Sequence, residues 1–143
     1  MFAYYFSDYS KTGEMGPSGA QSDITFGYYD KEKFEGEMRW YPVTYKSMFA
    51  INLDDIKVNG KSTGACKVVK ECRIILDSGT SHMSMPGKGL RNFVKQGIPT
   101  YFEKRKCDNQ KSWGDLTFVI GGHDYTLPND DWLYEPKPLS SLA

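Results

Sequence analysis

Apolar and polar positions alternate in short bursts along the chain, and most bursts are too brief for a helix. Phe2 to Phe6 is an aromatic run that predicts a strand. Ile24-Thr25-Phe26-Gly27 predicts a strand ending in a turn, and the polar run from Tyr28 to Lys33 predicts irregular chain. From Glu37 to Val43 the sides alternate. Met38, Trp40 and Pro42 fall on one side and Arg39, Tyr41 and Val43 on the other, which predicts a strand. Phe49 to Leu53 alternates in the same way, and Asp54 to Val58 follows it. Asn59-Gly60 is the strongest hairpin signal, because both residues tolerate positive φ, and Lys67 to Val69 is the expected return strand. Leu116 to Ile120, Gly121-Gly122 and Tyr125-Thr126-Leu127 predict a second hairpin.

One segment changes period. Between Gly89 and Gln96, Leu90, Phe93 and Val94 fall at i, i+3 and i+4, one face of a helix of about two turns, and are expected in the core rather than around a ligand. Gly97 suits the position after its end, and Pro99 blocks continuation. Gly87-Lys88-Gly89 marks the helix entry and is too short for a phosphate loop. Lys11 to Gln21, rich in Gly, Ser and Pro, reads as a loop, and Glu103-Lys-Arg-Lys as a solvated one. Pro136 and Pro138 make residues 135–143 an extended tail. Ten Tyr, eight Phe and three Trp, set among 14 Gly and seven Pro, fix the class as mostly β with one short helix. A chain of 143 residues suits a single domain spanning 1–143.

The alternation stops at Arg73 to Met85. Ile74, Ile75 and Leu76 predict a buried strand that runs straight into Asp77, followed by Ser78, Gly79, Thr80 and Ser81. Burying a carboxylate without partners costs several kcal/mol, so Asp77 is expected in a hydrogen-bonded cleft. An acid at the tip of a rigid strand, a Gly that lets the backbone turn beneath it, and hydroxyls to hold it are what a two-carboxylate hydrolase requires. Two facing Asp share one proton. One activates water while the other protonates the scissile carbonyl. Ser78 and Ser81 beside His82 do not make a serine hydrolase. Residues so close in sequence rarely face each other, and no Gly-x-Ser-x-Gly elbow is present.

Charge and composition narrow the remaining choices. Lys+Arg 18 against Asp+Glu 18 provides no electrostatic case for nucleic acid or an anionic membrane. No apolar run is long enough to span a bilayer. The start, Met1-Phe-Ala-Tyr-Tyr-Phe-Ser, lacks a basic segment followed by a long apolar one. It is not read as a signal peptide, so the chain is either cytosolic or its true beginning lies upstream. Cys66 and Cys72 either close a small disulfide loop, worth roughly 2–2.5 kcal/mol, or remain reduced thiols. His82 and His123 lack the ligand spacings of a structural zinc site. Cys107 is left over.

The motifs carry a resemblance. Ile75-Leu76-Asp77-Ser78-Gly79-Thr80-Ser81 resembles the second catalytic loop of the pepsin-like aspartic proteases. Phe34-Glu-Gly-Glu-Met-Arg-Trp-Tyr-Pro-Val is similar to that family's Tyr-Thr-Gly-x-Leu-x-Trp-x-Pro-Val run, and Phe49 to Gly60 to its Trp-x-Ile-x-x-Asp-x-Ile-x-Ile-Asn-Gly hairpin. Leu116 to Leu127 is similar to its later Ile-x-Phe-x-Ile-x-Gly-x-x-Tyr-x-Leu hairpin, and the matches cover residues 2 to about 134 in the family's order. The resemblance implies antiparallel β sheets with one short helix, forming the second, C-terminal lobe and incomplete at its C-terminal end. It implies peptide-bond hydrolysis at acidic pH without metal or cofactor. Asp77 would be one of two catalytic carboxylates, Ser78 and Gly79 would shape its loop, and Thr80 would bond across to the other lobe. Thr80 and Ser81 would meet substrate backbone, Ile75 and Met48 would line a primed-side pocket, and Cys66–Cys72 would be a disulfide. The partners implied are a first lobe with the other Asp, or other protein subunits, and a peptide substrate. A secretory, lysosomal, vacuolar or extracellular location is implied. No other Asp-Thr-Gly or Asp-Ser-Gly string occurs, so a non-catalytic half-pepsin serving as a structural or binding subunit is the alternative.

Overall fold

The computed structural model describes residues 1–6, 22–80, 82–95 and 113–132. The loop expected at 11–21, the Glu103 run, Gly97, Pro99, Cys107 and the tail at 135–143 lie outside them. The chain divides into two compact units, Met1–Trp40 and Tyr41–Ala143.

In the first unit, β1 (Phe2–Tyr5) pairs antiparallel with β2 (Asp23–Phe26), Phe2 opposite Phe26 and Tyr5 opposite Asp23. A 3-10 turn at Lys31–Lys33 follows, capped by the Asp30 carboxylate, which accepts the Glu32 N–H at 3.0 Å. The strand expected from Glu37 to Val43 does not form before Val43. Trp40 packs instead on Tyr29, whose ring also meets Phe34, with centroids 6.4 and 5.8 Å apart. Pro42, lacking an N–H, weakens any ladder there. The alternation is met by local aromatic packing.

The second unit holds two antiparallel sheets. In one, β3 (Val43–Tyr45), β4 (Ala50–Asn52) and β7 (Arg73–Ile74) lie in the order β3-β4-β7. The other contains β5 (Asp55–Val58), β6 (Lys61–Ser62), β8 (Leu116–Ile120) and β9 (His123–Leu127), in the order β6-β5-β8-β9. Asn59 and Gly60 both take positive φ, 52° and 75°, the twist a two-residue hairpin needs. So tight a turn sends the chain back at once, Val58 opposite Lys61, so the return strand is β6 and not Lys67 to Val69. Cys66–Val68 forms a 3-10 turn instead.

Leu53, Ile56, Val58, Ala65, Phe93, Leu116 and Ile120 form the core, all buried. The helix α1 (Gly87–Val94) begins two residues before the expected start, with Pro86 at its N-cap position. Phe93 is buried as expected and its ring meets Trp132, of the short helix α2 (Asn129–Trp132), edge-on at 6.5 Å. Leu90 is 41% exposed and is not a core residue: Gly89 is buried in its place, where a Cβ would lie 3.8 Å from the Ala65 Cβ.

Gly114 offers a stability test. Its φ is +75°, and a Cβ there would sit 2.7 Å from Asn59 Cγ. Gly114→Ala is expected to cost more than about 1 kcal/mol in urea unfolding, from strain and the clash together. A neutral result would mean that the Asn59 turn is free to move aside.

Candidate active site

The candidate site grows from β7. Among the described residues this strand pairs on one side and is an edge, Ile51 opposite Ile74 and Asn52 opposite Arg73. Arg73 fixes its start: the guanidinium lies over the Tyr45 ring at 5.4 Å, and Nη1 pairs with Glu71 at 2.9 Å. Cys72, just before it, is joined to Cys66 in a disulfide. This Arg73–Tyr45–Glu71 anchor was not legible from the chain pattern. A cation ahead of an apolar triplet was the signal, but its aromatic partner lies two strands away and is visible only once the register is known.

Beyond Ile74 the chain leaves the sheet. Ile75 is 42% exposed and Leu76 77% exposed. The buried strand expected through Leu76 therefore stops after Ile74. An edge strand has one neighbour to follow, and β4 pairs with only two of its residues.

Asp77 is exposed rather than sunk in a cleft, and its partners are local. Oδ1 accepts the Gly79 N–H at 2.9 Å, and the Thr80 hydroxyl donates to Oδ2 at 2.5 Å. The Thr80 N–H reaches the Asp77 carbonyl at 3.3 Å. This is an Asx turn closed by a hydroxyl, the reason Asp, Gly and Thr sit at this spacing. A Cβ on Gly79 would lie 3.3 Å from Oδ1, tight enough to push the carboxylate aside. Ser78 is exposed beside them, as is His82, while Ser81 lies outside the described residues.

The Thr80 hydroxyl bond, and after it the Gly79 N–H, holds the Asp77 carboxyl below the usual carboxylate range, against a smaller opposing effect of burial. Both bonds favour the ionised form. The associated stability is present above the unfolded-state pKa and fades as pH falls through the folded value. Thr80→Val removes the larger contribution, so Asp77 should titrate at higher pH than in the wild type, as followed by carboxyl NMR. An unmoved titration would show that the Thr80 bond does not hold the charge in solution.

An ionised carboxylate presented in an exposed turn beyond the strand, with both oxygens oriented, can accept a proton from water. Among the described residues no helix is long and apolar enough to cross a membrane. Among them, too, no group of three or more His, Cys, Asp or Glu is placed to hold a metal ion.

Small antiparallel sheets, one principal helix and an Asp-Ser-Gly-Thr turn shortly after a sheet strand are the features of an aspartic protease lobe. The sequence model of the eukaryotic aspartyl protease family matches residues 1–141, and the chain belongs to that family. Cathepsin E of Cavia porcellus is 35% identical over 130 residues, covering 89% of this chain and 31% of that protein. Cathepsin E of Oryctolagus cuniculus is 36% identical over 125 residues, 85% of this chain and 30% of that protein. Gastricsin of Mus musculus is 30% identical over 130 residues, 87% of this chain and 32% of that protein. The chain thus spans about 30% of the length of the first two of these relatives.

Proposed function

We propose that residues 1–143 form most of the second lobe of a pepsin-like aspartic endopeptidase and supply Asp77 as one of its two catalytic carboxylates. The observation that carries this is the exposed Asp77 carboxylate, held on both oxygens by Gly79 and Thr80 three residues beyond the end of β7. A facing Asp from a first lobe would complete a pair that shares one proton. Water attacks the scissile carbonyl carbon as one carboxylate takes its proton. The other carboxylate gives its proton to the carbonyl oxygen. Collapse of the tetrahedral intermediate expels the amine, which takes a proton as it leaves. Ser78 and Gly79 shape the loop, Thr80 and Ser81 meet substrate backbone, and Ile75, exposed beside them, contributes apolar surface to a primed-side pocket.

A peptide whose scissile amide is replaced by a hydroxyl-bearing tetrahedral isostere tests this reading. It should bind the assembled two-lobed protein and raise its melting temperature, by about 2.7 kcal/mol of stabilisation at a hundredfold excess over Kd. No shift with the isostere would sink the proposal.

A second reading has its own observation. The outer edge of β7 is unpaired among the described residues, and Ile75 and Leu76 beside it are exposed. Such an edge also suits a non-catalytic half-pepsin held as a structural or binding subunit of an assembly. A tight stoichiometric complex with no peptidase activity at any acidic pH would favour that reading.

A further inference from the structure

We propose that the Cys66–Cys72 disulfide is a thiol-reducible clamp that positions the strand leading to Asp77. The inference rests on the reading of Asp77 as catalytic for its functional half, and on geometry alone for the rest.

The bond ties the two sheets of the second unit together. Cys66 belongs to the core side. Its neighbour Ala65 is 4% exposed and lies against Gly89 of α1, and Asn92 Nδ2 donates to the Gly64 carbonyl at 3.1 Å. The Thr63 hydroxyl donates to the Ile56 carbonyl at 2.8 Å, fastening the same turn to β5. Cys72 belongs to the other sheet. It directly precedes β7, and its carbonyl accepts the Leu53 N–H at 3.0 Å. The next amide, of Asp54, donates to Val119 of β8 at 2.8 Å. Two successive N–H groups thus report on the two sides of the clamp. Downstream of Cys72 the strand has two ladder positions before it runs out exposed to Asp77, so the disulfide is a cross-link set directly ahead of that short paired stretch.

The Cys72 end of the bond also borders open space. Cys72 is half-buried and lines an open groove of about 490 Å³ with Asn52, Asp54, Glu71 and Arg73. The closed ring carries Lys67 and Lys70 against Glu71, with Arg73 next, a net positive setting that favours a departing thiolate. A dithiol reductant attacks one sulfur as its thiolate and expels the other, which takes up a proton. Its second thiol then resolves the mixed disulfide. The dithiol leaves as its own disulfide, and two electrons have passed to Cys66 and Cys72.

Amide hydrogen exchange on the whole chain, in a Cys107→Ser background and with dithiothreitol as the dithiol, reads the clamp directly. On reduction, exchange at Leu53 should accelerate at least about tenfold more than at Asp54. The Cys66→Ser/Cys72→Ser variant should show the same release without reductant and no further change with it. Equal acceleration at both amides, including global unfolding, overturns the proposal, since the bond would then be a general staple. No acceleration at either also overturns it. In the two-lobed protein, kcat should fall on reduction, recover on reoxidation, and change more than KM. An unchanged kcat with Leu53 released overturns the positioning role and leaves Asp77's proposed role standing. A protein inactive even when oxidised counts against the protease reading instead, and the exchange result then decides the clamp.

Discussion

Asp77→Asn in the assembled two-lobed protein is expected to lower kcat/KM for an apolar peptide at acidic pH by at least about 10²–10⁴-fold, the range for losing a positioned acid–base group. The substitution is nearly isosteric. Its amide oxygen can still accept the Gly79 N–H, and the Thr80 hydroxyl can rotate to accept from the new NH₂ group. What disappears is the charge, and with it the ability to take a proton from water. Because Asp77 is exposed and its bonds are local, the melting temperature should barely change. A large loss of turnover with an intact fold separates catalysis from structure. Unchanged turnover would remove Asp77 from the mechanism.

Leu116→Ala should have the largest effect on stability, about 2–5 kcal/mol. Leu116 is 2% exposed and sits on β8 opposite both Val58 and Leu127, at the middle of the four-stranded sheet. Truncation removes its contacts with the core and leaves a cavity that strands held on both sides cannot collapse to fill. Against a typical total of about 5–15 kcal/mol, the urea midpoint should fall steeply while the m-value stays constant. Leu76→Ala is the contrast, since Leu76 is 77% exposed and its truncation should be nearly neutral in this chain. A Leu116→Ala midpoint close to wild type would mean that β8 is not the centre of the core.

Elements governed by local chemistry were legible from residues alone. Asn59-Gly60 dictates its own backbone angles, and Gly121-Gly122 does the same for the hairpin joining β8 to β9. Phe93 was correctly placed in the core, because a helical face with one large aromatic has little choice. Elements that depend on a neighbour were not legible. The alternation at 37–43 suits a strand equally well, yet Tyr29 and Phe34 provide Trp40 with partners that no periodicity reveals. Lys67 to Val69 has β-forming valines, but the tight hairpin had already returned at Lys61. Ile75 and Leu76 look buried by composition and emerge exposed because β7, an edge strand among the described residues, ends at Ile74.

The candidate site divides in the same way. The turn at Asp77, Ser78, Gly79 and Thr80 is written in four consecutive residues, and its two carboxylate bonds follow from that spacing. Its anchoring through Arg73, Tyr45 and the Cys66–Cys72 bond depends on residues brought together by the sheet register. The pairing of Asp77 with a second carboxylate is the central claim. Carboxyl-labelled aspartate NMR of the assembled two-lobed protein tests it most directly. Asp77 and one further Asp should titrate as a coupled pair in two macroscopic steps, and Asp77→Asn should collapse these to a single ordinary titration of the remaining Asp. Independent, single-step titration of Asp77, with every other Asp unmoved by the substitution, would contradict the claim.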